Sequence, residues 1–181
     1  APLAVYWEKL HQISGHQETI HKLRRRAQAN WLTVHDPETW RKTRKFLLLS
    51  GYLGFRLTGE YRDAVASQVG YVPFDYRKHQ WHAAWDWRWQ ALGVKRSQLP
   101  ELVPPGGILG HISSLAAAET GLPLNLPVIA AGADKACEVL GAGCVSPWQG
   151  ALSFGTTATY NTVSRKYVSI NPPMPPYPAA V

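Results

Sequence analysis

The feature that most constrains this chain is the stretch from Val128 to Gly143, VIAAGADKACEVLGAG. A short run of apolar residues with β-branched members stops at Gly132, Asp134 follows, and a segment of small and apolar residues continues from there. This order predicts a strand, a turn through glycine and then a helix that begins at Asp134. The chain must therefore fold so that a carboxylate lies at the end of a strand and the start of a helix.

Two interpretations of Asp134 follow from this position. A carboxylate at a helix start can accept hydrogen bonds from the unpaired N–H groups, and the helix dipole favours its charged form. It can also face a ligand, because small neighbouring residues let a ligand approach the backbone closely. The small residues around it are Ala131, Gly132, Ala133, Ala136, Gly141, Ala142 and Gly143.

A second stretch, SFGTTAT, predicts two strands around a tight turn at Gly155, Thr156 and Thr157. A glycine N–H and two hydroxyls at a sharp turn suit phosphate oxygens, because they donate hydrogen bonds without a fixed charge. A phosphate cradle beside a strand-end carboxylate indicates phosphoryl transfer. That reaction needs an acceptor hydroxyl in line, held phosphates and a carboxylate that takes the hydroxyl proton. Mg²⁺ would then bridge the nucleotide phosphates and keep several waters.

Composition and charge exclude other classes. A hydrophobic content of 45% is ordinary for a globular protein, and no apolar run approaches the roughly 18 residues that span a bilayer. We therefore expect no membrane partner. Cys137 and Cys144 fit no disulfide framework, so we expect a protein of the reducing cytoplasm. The formal charge of +7 is concentrated in the stretches HKLRRR and RKTRK, which are typical of solvated helix faces. Nucleic-acid binding is the alternative, but no nucleic-acid motif accompanies these stretches, so we expect no nucleic-acid partner.

Helix signals occur along the chain. The stretch SSLAAAETGLP predicts a short capped helix from Ser113 or Ser114 to Gly121. One helix is predicted from Glu18 to Leu32. A second is predicted from Pro37, with Asp36 as its cap, through to a stop at Gly59. A third is predicted to place Trp81, Trp85 and Trp89 on one face, because they recur every four residues. That face is interpreted as core or as a subunit contact, which leaves a homodimer open, and the alternative is a platform for sugar stacking.

The longer stretches resemble a known family. The pieces RLTGEY, GLPLNLPVIAAGADKA and FGTT occur in register between about Trp31 and Thr159. They resemble the FGGY family of carbohydrate kinases, which includes xylulose, gluconate, ribulose and glycerol kinases. The resemblance implies an α/β fold of the actin-like, ribonuclease-H-like kind, in which two domains flank a cleft that closes on a sugar or polyol and ATP with Mg²⁺. The stretch DAVAS is similar to the family's Asn-Ala-Ser stretch but lacks its asparagine, so no sugar contact is assigned there.

The resemblance also implies roles for individual residues. Asp134 is implied to be the base that deprotonates the sugar hydroxyl. Lys135 falls where many members carry Asn or Gln in contact with the sugar, so a cation there favours an acidic or unusual polyol, or pairs with Glu138. Gly155, Thr156 and Thr157 match the turn that receives the ATP phosphates. No metal ligand is assigned to the protein itself.

The resemblance implies a domain division as well. Residues 1–147 are expected to be the helix-rich later portion of the first, sugar-binding domain. Residues 148–181 are expected to be the first hairpin of the second, ATPase domain, followed by a proline-rich truncated end. The family's Asp-x-Gly-Thr phosphate loop is not in this sequence, so we expect the parent protein to be the kinase and this piece to be inactive alone. The alternative is a non-catalytic binding or interaction module of the same fold.

Overall fold

The computed structural model of the chain describes residues 17–70, 72–156, 158–168 and 176–180. Helices and short strands occur together in these ranges, as expected for the α/β class. The α-helices are α1 (Gln17–Arg26), α2 (Gln28–His35), α3 (Pro37–Lys42), α4 (Leu49–Thr58), α5 (Arg88–Leu92), α6 (Ser114–Thr120) and α7 (Asp134–Gly141). The strands are β1 (Arg62–Ala64), β2 (Phe74–Asp75), β3 (Gln80–Trp81), β4 (Glu101–Val103), β5 (Ile108–His111), β6 (Pro127–Ile129), β7 (Gly150–Phe154) and β8 (Ala158–Thr162). None of these helices is both long and apolar enough to cross a bilayer.

The chain divides into two compact units. The first takes its residues from 1–46, 70–73 and 82–99, and the second from 47–69, 74–81 and 100–181. Much of the proline-rich end, 169–175, lies outside the described residues, as do residues 1–16.

The first unit is helical, and its first predicted helix is interrupted. Instead of one helix from Glu18 to Leu32, the chain forms α1 and α2 with Ala27 extended between them (φ −72°, ψ 121°). The break has a tertiary cause, because it allows the Asn30 amide to donate to the Ala91 carbonyl on α5 at 2.7 Å. Ala27 and Ala29 are both buried at this point, so packing outweighs local helix propensity.

The predicted helix from Pro37 to Gly59 is also wrong in its middle. Its ends are confirmed: Asp36 accepts from the Thr39 N–H at 3.1 Å, and Gly59 adopts the left-handed conformation at φ 80°. Residues 43–48 between α3 and α4 are not helical. The Thr43 carbonyl accepts from the Gln98 side chain and the Phe46 N–H donates to the Gln98 carbonyl, so these groups are used outside a helix.

The three tryptophans do not share a helix face. Trp81 is in β3, where it is buried, pairs with Phe74 and donates its indole N–H to the Pro100 carbonyl at 2.9 Å. Trp85 precedes α5 and is 77% exposed. The helix begins only at Arg88, whose N–H is bonded to the Asp86 carboxylate. A hydrogen-bonded hairpin and a side-chain turn therefore replace the first part of the predicted helix, and its last part forms as α5.

The second unit contains the strands. β1 and β4 pair in parallel, which is the pairing expected of an α/β fold, while β5 and β6 pair antiparallel. Ala64, Val103, Leu109 and Ala130 form its buried core, with Val128 packed against them. Ala64, Val103 and Leu109 come from β1, β4 and β5, and Ala130 directly follows β6. The core therefore holds the residue at which β6 ends. That end leads into α7.

The second half of this unit follows the predictions more closely. Ser113 caps α6 by accepting from the Ala116 N–H at 3.2 Å, and Gly121 ends it at φ 75°. The hairpin of β7 and β8 forms with Leu152 opposite Tyr160 and Phe154 opposite Ala158. Its turn contains Gly155 and Thr156, whereas Thr157 lies outside the described residues.

Candidate functional site

The site begins with the turn that follows β6. The Ala130 N–H donates to the Gly107 carbonyl at 2.8 Å and the Gly106 N–H donates to the Ala130 carbonyl at 2.9 Å, so the strand end is held on both sides. Two residues later a Cβ on Gly132 would come within 2.8 Å of the Ala180 methyl carbon and 3.1 Å of the Ala136 one. Glycine is therefore required by close packing at this turn.

Asp134 is the first residue of α7 and is exposed. The helix cap position belongs to Ala133, whose side chain makes no capping bond. The hydrogen bond that the structure shows for the Asp134 carboxylate is from the adjacent Lys135 N–H, at 2.7 Å. Since this bond occupies one acceptor site of a group that has about four, the carboxylate can still accept from a ligand in solvent.

Lys135 lies beside Asp134 and carries two contacts. Its ammonium is 2.6 Å from the Glu138 carboxylate, one turn further along α7, and 2.9 Å from the Ser153 hydroxyl on β7. Hydrogen bonds from Lys135 and Ser153 lower the pKa of Glu138. The pairing with Glu138 was one of the two predicted roles of Lys135, and it is confirmed.

The predicted phosphate turn lies at the tip of the β7–β8 hairpin. Gly155 and Thr156 are exposed, and a Cβ on Gly155 would meet no atom within 4 Å. The backbone at this turn is therefore open to an incoming group. On one face of the hairpin, Leu152, Phe154 and Tyr160 are 66%, 81% and 68% exposed.

The Lys135–Ser153 contact joins the two parts of the site. Ser153 precedes Gly155 by two residues, a separation of about 7 Å along a strand, and Lys135 follows Asp134 directly. The structure therefore brings the start of α7 and the strand that leads into the turn together. Sequence reasoning identified both segments but missed Ser153, whose signal was only a polar residue between Leu152 and Phe154.

No metal centre is built from protein side chains in the part of the chain that the structure describes. Groups of three or more His, Cys, Asp or Glu side chains that would hold a metal ion do not occur there. Cys137 on α7 is exposed and Cys144 after it is buried, and both are free thiols.

Comparison with known proteins identifies the family of this chain. The model of the N-terminal domain of the FGGY family of carbohydrate kinases matches residues 6–141. Xylulose kinase from Escherichia coli (strain K12) is 34% identical over 139 residues, which are 77% of this chain and 28% of that protein. L-fuculokinase from the same strain is 31% identical over 113 residues, which are 62% of this chain and 23% of that protein.

Solved structures agree with the assignment. A xylulose kinase from Rhodospirillum rubrum superposes with a TM-score of 0.66 at 26% identity, over 74% of this chain and 27% of that one. A xylulose kinase from Lactobacillus acidophilus, at 19% identity, shares the fold with a TM-score of 0.74 over 95% of this chain and 37% of that one. The chain belongs to the FGGY family of carbohydrate kinases, whose members are phosphotransferases of the actin-like, ribonuclease-H-like fold. It spans about 28% of the length of the Escherichia coli relative.

Proposed function

We propose that the protein of which this chain is part transfers a phosphoryl group from ATP to a hydroxyl of a sugar or polyol, with Asp134 as the base. The observation that carries the proposal is the exposed carboxylate at the start of α7, close to the strand that leads into an open Gly-Thr turn. Membership of a family of sugar kinases supports the reaction class.

In this proposal one Asp134 carboxylate oxygen accepts the proton of the substrate hydroxyl as its oxygen forms a bond to phosphorus. The bond between that phosphorus and the leaving oxygen breaks, and the leaving group keeps the electron pair. The loose transition state of phosphoryl transfer tolerates a weak base, so a carboxylate suffices. The Lys135 N–H bond to Asp134 holds the carboxylate at the helix start while other lone pairs face the substrate.

Gly155, Thr156 and Thr157 are proposed to receive the ATP phosphates. Backbone N–H groups and hydroxyls at an open turn donate to phosphate oxygens with little reorganisation. We propose that Mg²⁺ is held by the nucleotide phosphates and by water. When bound, Mg-ATP supplies the phosphoryl group and neutralises part of its charge.

Lys135 is proposed to contact the substrate as well as to hold the site together. An ammonium has three N–H donors, and Glu138 and Ser153 each accept one of them. The third can donate to a substrate oxygen beside Asp134. A cation at this point favours an acidic or unusual polyol.

The assignment of domains along the chain is also a proposal. Residues 1–147 would form part of the sugar-binding domain, and residues 148–181 would begin the ATPase domain. Because the chain spans only 28% of the Escherichia coli relative, we propose that the 181 residues alone are inactive and that the whole protein is the enzyme.

A coupled ADP-release assay on the whole protein tests this function. Mg-ATP would be offered with ketoses, pentitols, sugar acids and glycerol, and without any acceptor. We expect one acceptor class to stimulate ADP release, and Thr156→Ala to raise the KM for ATP. The matched control is Thr162→Ala, at the far end of the same hairpin, which should leave that KM unchanged. A folded protein that binds ATP but responds to no acceptor would contradict the proposal and favour a non-catalytic binding module.

A further inference from the structure

A groove lies in the first compact unit, whereas the residues of the proposed kinase site belong to the second. The groove has a volume of about 390 Å³ and lies between the end of α3 and the 3₁₀ turn Arg96–Gln98. The side chains that line it include Trp40, Arg41, Arg44, Lys95, Ser97 and Gln98. The volume is within the range of small-molecule sites, roughly 300–1,000 Å³.

Hydrogen bonds hold the two walls of this groove together. The Gln98 amide donates to the Thr43 carbonyl at 3.1 Å, and its oxygen accepts from the Lys95 N–H at 2.9 Å. The Phe46 N–H donates to the Gln98 carbonyl at 2.8 Å, and the Lys45 ammonium donates to the Ser97 carbonyl at 3.0 Å. The groove is therefore preorganised, which lowers the entropy that a ligand must overcome on binding.

The rim of the groove carries positive charge. Arg41, Arg44 and Lys95 are exposed, and none of them forms an ion pair with a carboxylate in the described part of the chain. Neighbouring cations differ, since Lys42 is paired with Glu38 at 2.6 Å and Lys45 is bonded to backbone carbonyls. Like charges on a shared rim repel one another, and an anion between them relieves that repulsion.

We propose that this groove binds a small phosphate-bearing molecule. A phosphate group carries close to two negative charges at neutral pH and offers several acceptor oxygens. Each of the two guanidinium groups can donate a pair of hydrogen bonds to these oxygens, and the ammonium can attract them as a compact positive charge. The Ser97 hydroxyl can donate to the same oxygens. The organic part of the ligand lies against the half-buried Trp40 indole.

The test is isothermal titration calorimetry on the 181-residue chain, in low-salt buffer without phosphate. Inorganic phosphate, a pentose phosphate and AMP are titrated separately, so the free anion and the two kinds of organic phosphate are distinguished. The groove variant is Arg41→Gln/Arg44→Gln/Lys95→Gln. The matched control, Lys22→Gln/Arg25→Gln/Arg26→Gln, removes three charges from α1 in the same unit.

We expect saturable binding that is about tenfold or more weaker in the groove variant and little changed in the control, as charge-assisted contacts at one site require. Circular dichroism checks that each variant is folded, and Lys95→Gln alone replaces the triple variant if that one is not. Equal weakening in both triple variants, or no saturable binding of any probe to the wild type, would overturn the proposal. The Trp40 contact is supported if AMP or the pentose phosphate binds more tightly than inorganic phosphate and if this advantage falls in Trp40→Ala. Equal affinities for all three probes would overturn that contact.

Discussion

Two aspartates of the second unit differ in their surroundings. Asp63 on β1 is 1% exposed, and its carboxylate accepts from the Ala64 N–H at 2.8 Å, the Gln68 amide at 2.8 Å and the Ser50 hydroxyl at 3.0 Å. Asp134 on α7 is exposed and accepts from the Lys135 N–H. The first carboxylate is surrounded by protein donors, whereas the second is bonded on one side and open to solvent.

The difference separates a structural carboxylate from one that is available to a ligand. A Cβ on Gly51 would lie 3.0 Å from an Asp63 oxygen, so little space remains around that group. Burial raises the pKa of Asp63, while hydrogen bonds from Gln68 and Ser50 oppose the rise. Asp63 therefore organises β1, α4 and the 3₁₀ turn Val65–Ser67 that follows, whereas the carboxylate of Asp134 remains open to a ligand.

The largest expected effect on stability comes from Asp63→Ala. The substitution leaves the buried Gln68 and Ala64 donors and the half-buried Ser50 hydroxyl without this acceptor. We expect it to lower the free energy of unfolding by about 2–4 kcal/mol. Urea unfolding of the chain followed by circular dichroism measures it. Asp134→Ala is the control and should change the free energy by less than about 0.5 kcal/mol, as exposed substitutions usually do. Equal losses in the two variants would contradict the comparison.

A smaller effect is expected in the pH dependence of stability. Because the folded pKa of Asp63 is raised, the folded state binds the proton more tightly than the unfolded state does. This contribution to stability is present below the unfolded pKa, about 4, and is lost as pH rises through the raised pKa. The side chain of Asp63→Asn cannot titrate. As pH rises across this range, the wild type should therefore lose unfolding free energy relative to the variant. A difference that is constant with pH would show that the pKa of Asp63 is not raised.

The smallest effect on stability is expected from Lys135→Met. The Lys135–Glu138 pair is exposed, and such pairs contribute little to stability, so the thermal midpoint should hardly move. In the whole protein we expect kcat/KM to fall by about tenfold, because the contact with Ser153 that positions α7 is lost. Lys42→Met is the matched control, since it removes an exposed lysine–glutamate pair on α3 and should leave both quantities unchanged. If the Lys42→Met control also loses activity, the effect of Lys135→Met is not evidence that Lys135 positions α7.

How well the sequence predicted these regions depends on whether the signals were local. The cap at Asp36, the left-handed stops at Gly59 and Gly121, the start of α7 and the β7–β8 hairpin were all predicted, because each depends on neighbouring residues. Residues 43–48 and Ala27 were assigned to helices. The conformation of residues 43–48 depends on Gln98, and that of Ala27 depends on the bond from Asn30 to the Ala91 carbonyl. Both partners are distant in sequence.

In the candidate site, too, the residues with local signals were predicted and those that depend on distant contacts were not. Asp134 and Gly155–Thr156 were identified from local patterns and family resemblance, and the possible Glu138 partner of Lys135 lies one helical turn away. Ser153 and the buried role of Asp63 were not identified, because they depend on which strand packs against α7 and on which donors surround β1. The tryptophan spacing was misleading, because the pairing of Trp81 with Phe74 in a hairpin overrides a periodicity of four.

The role of Asp134 is tested most directly by the Asp134→Asn variant of the whole protein, measured for both acceptor-dependent ADP release and urea unfolding. We expect a fall in kcat of about 10²–10⁴-fold, typical of a lost general base, with the free energy of unfolding nearly unchanged. If the variant keeps wild-type activity, Asp134 is not the base. If activity and stability fall together, Asp134 supports the start of α7 instead.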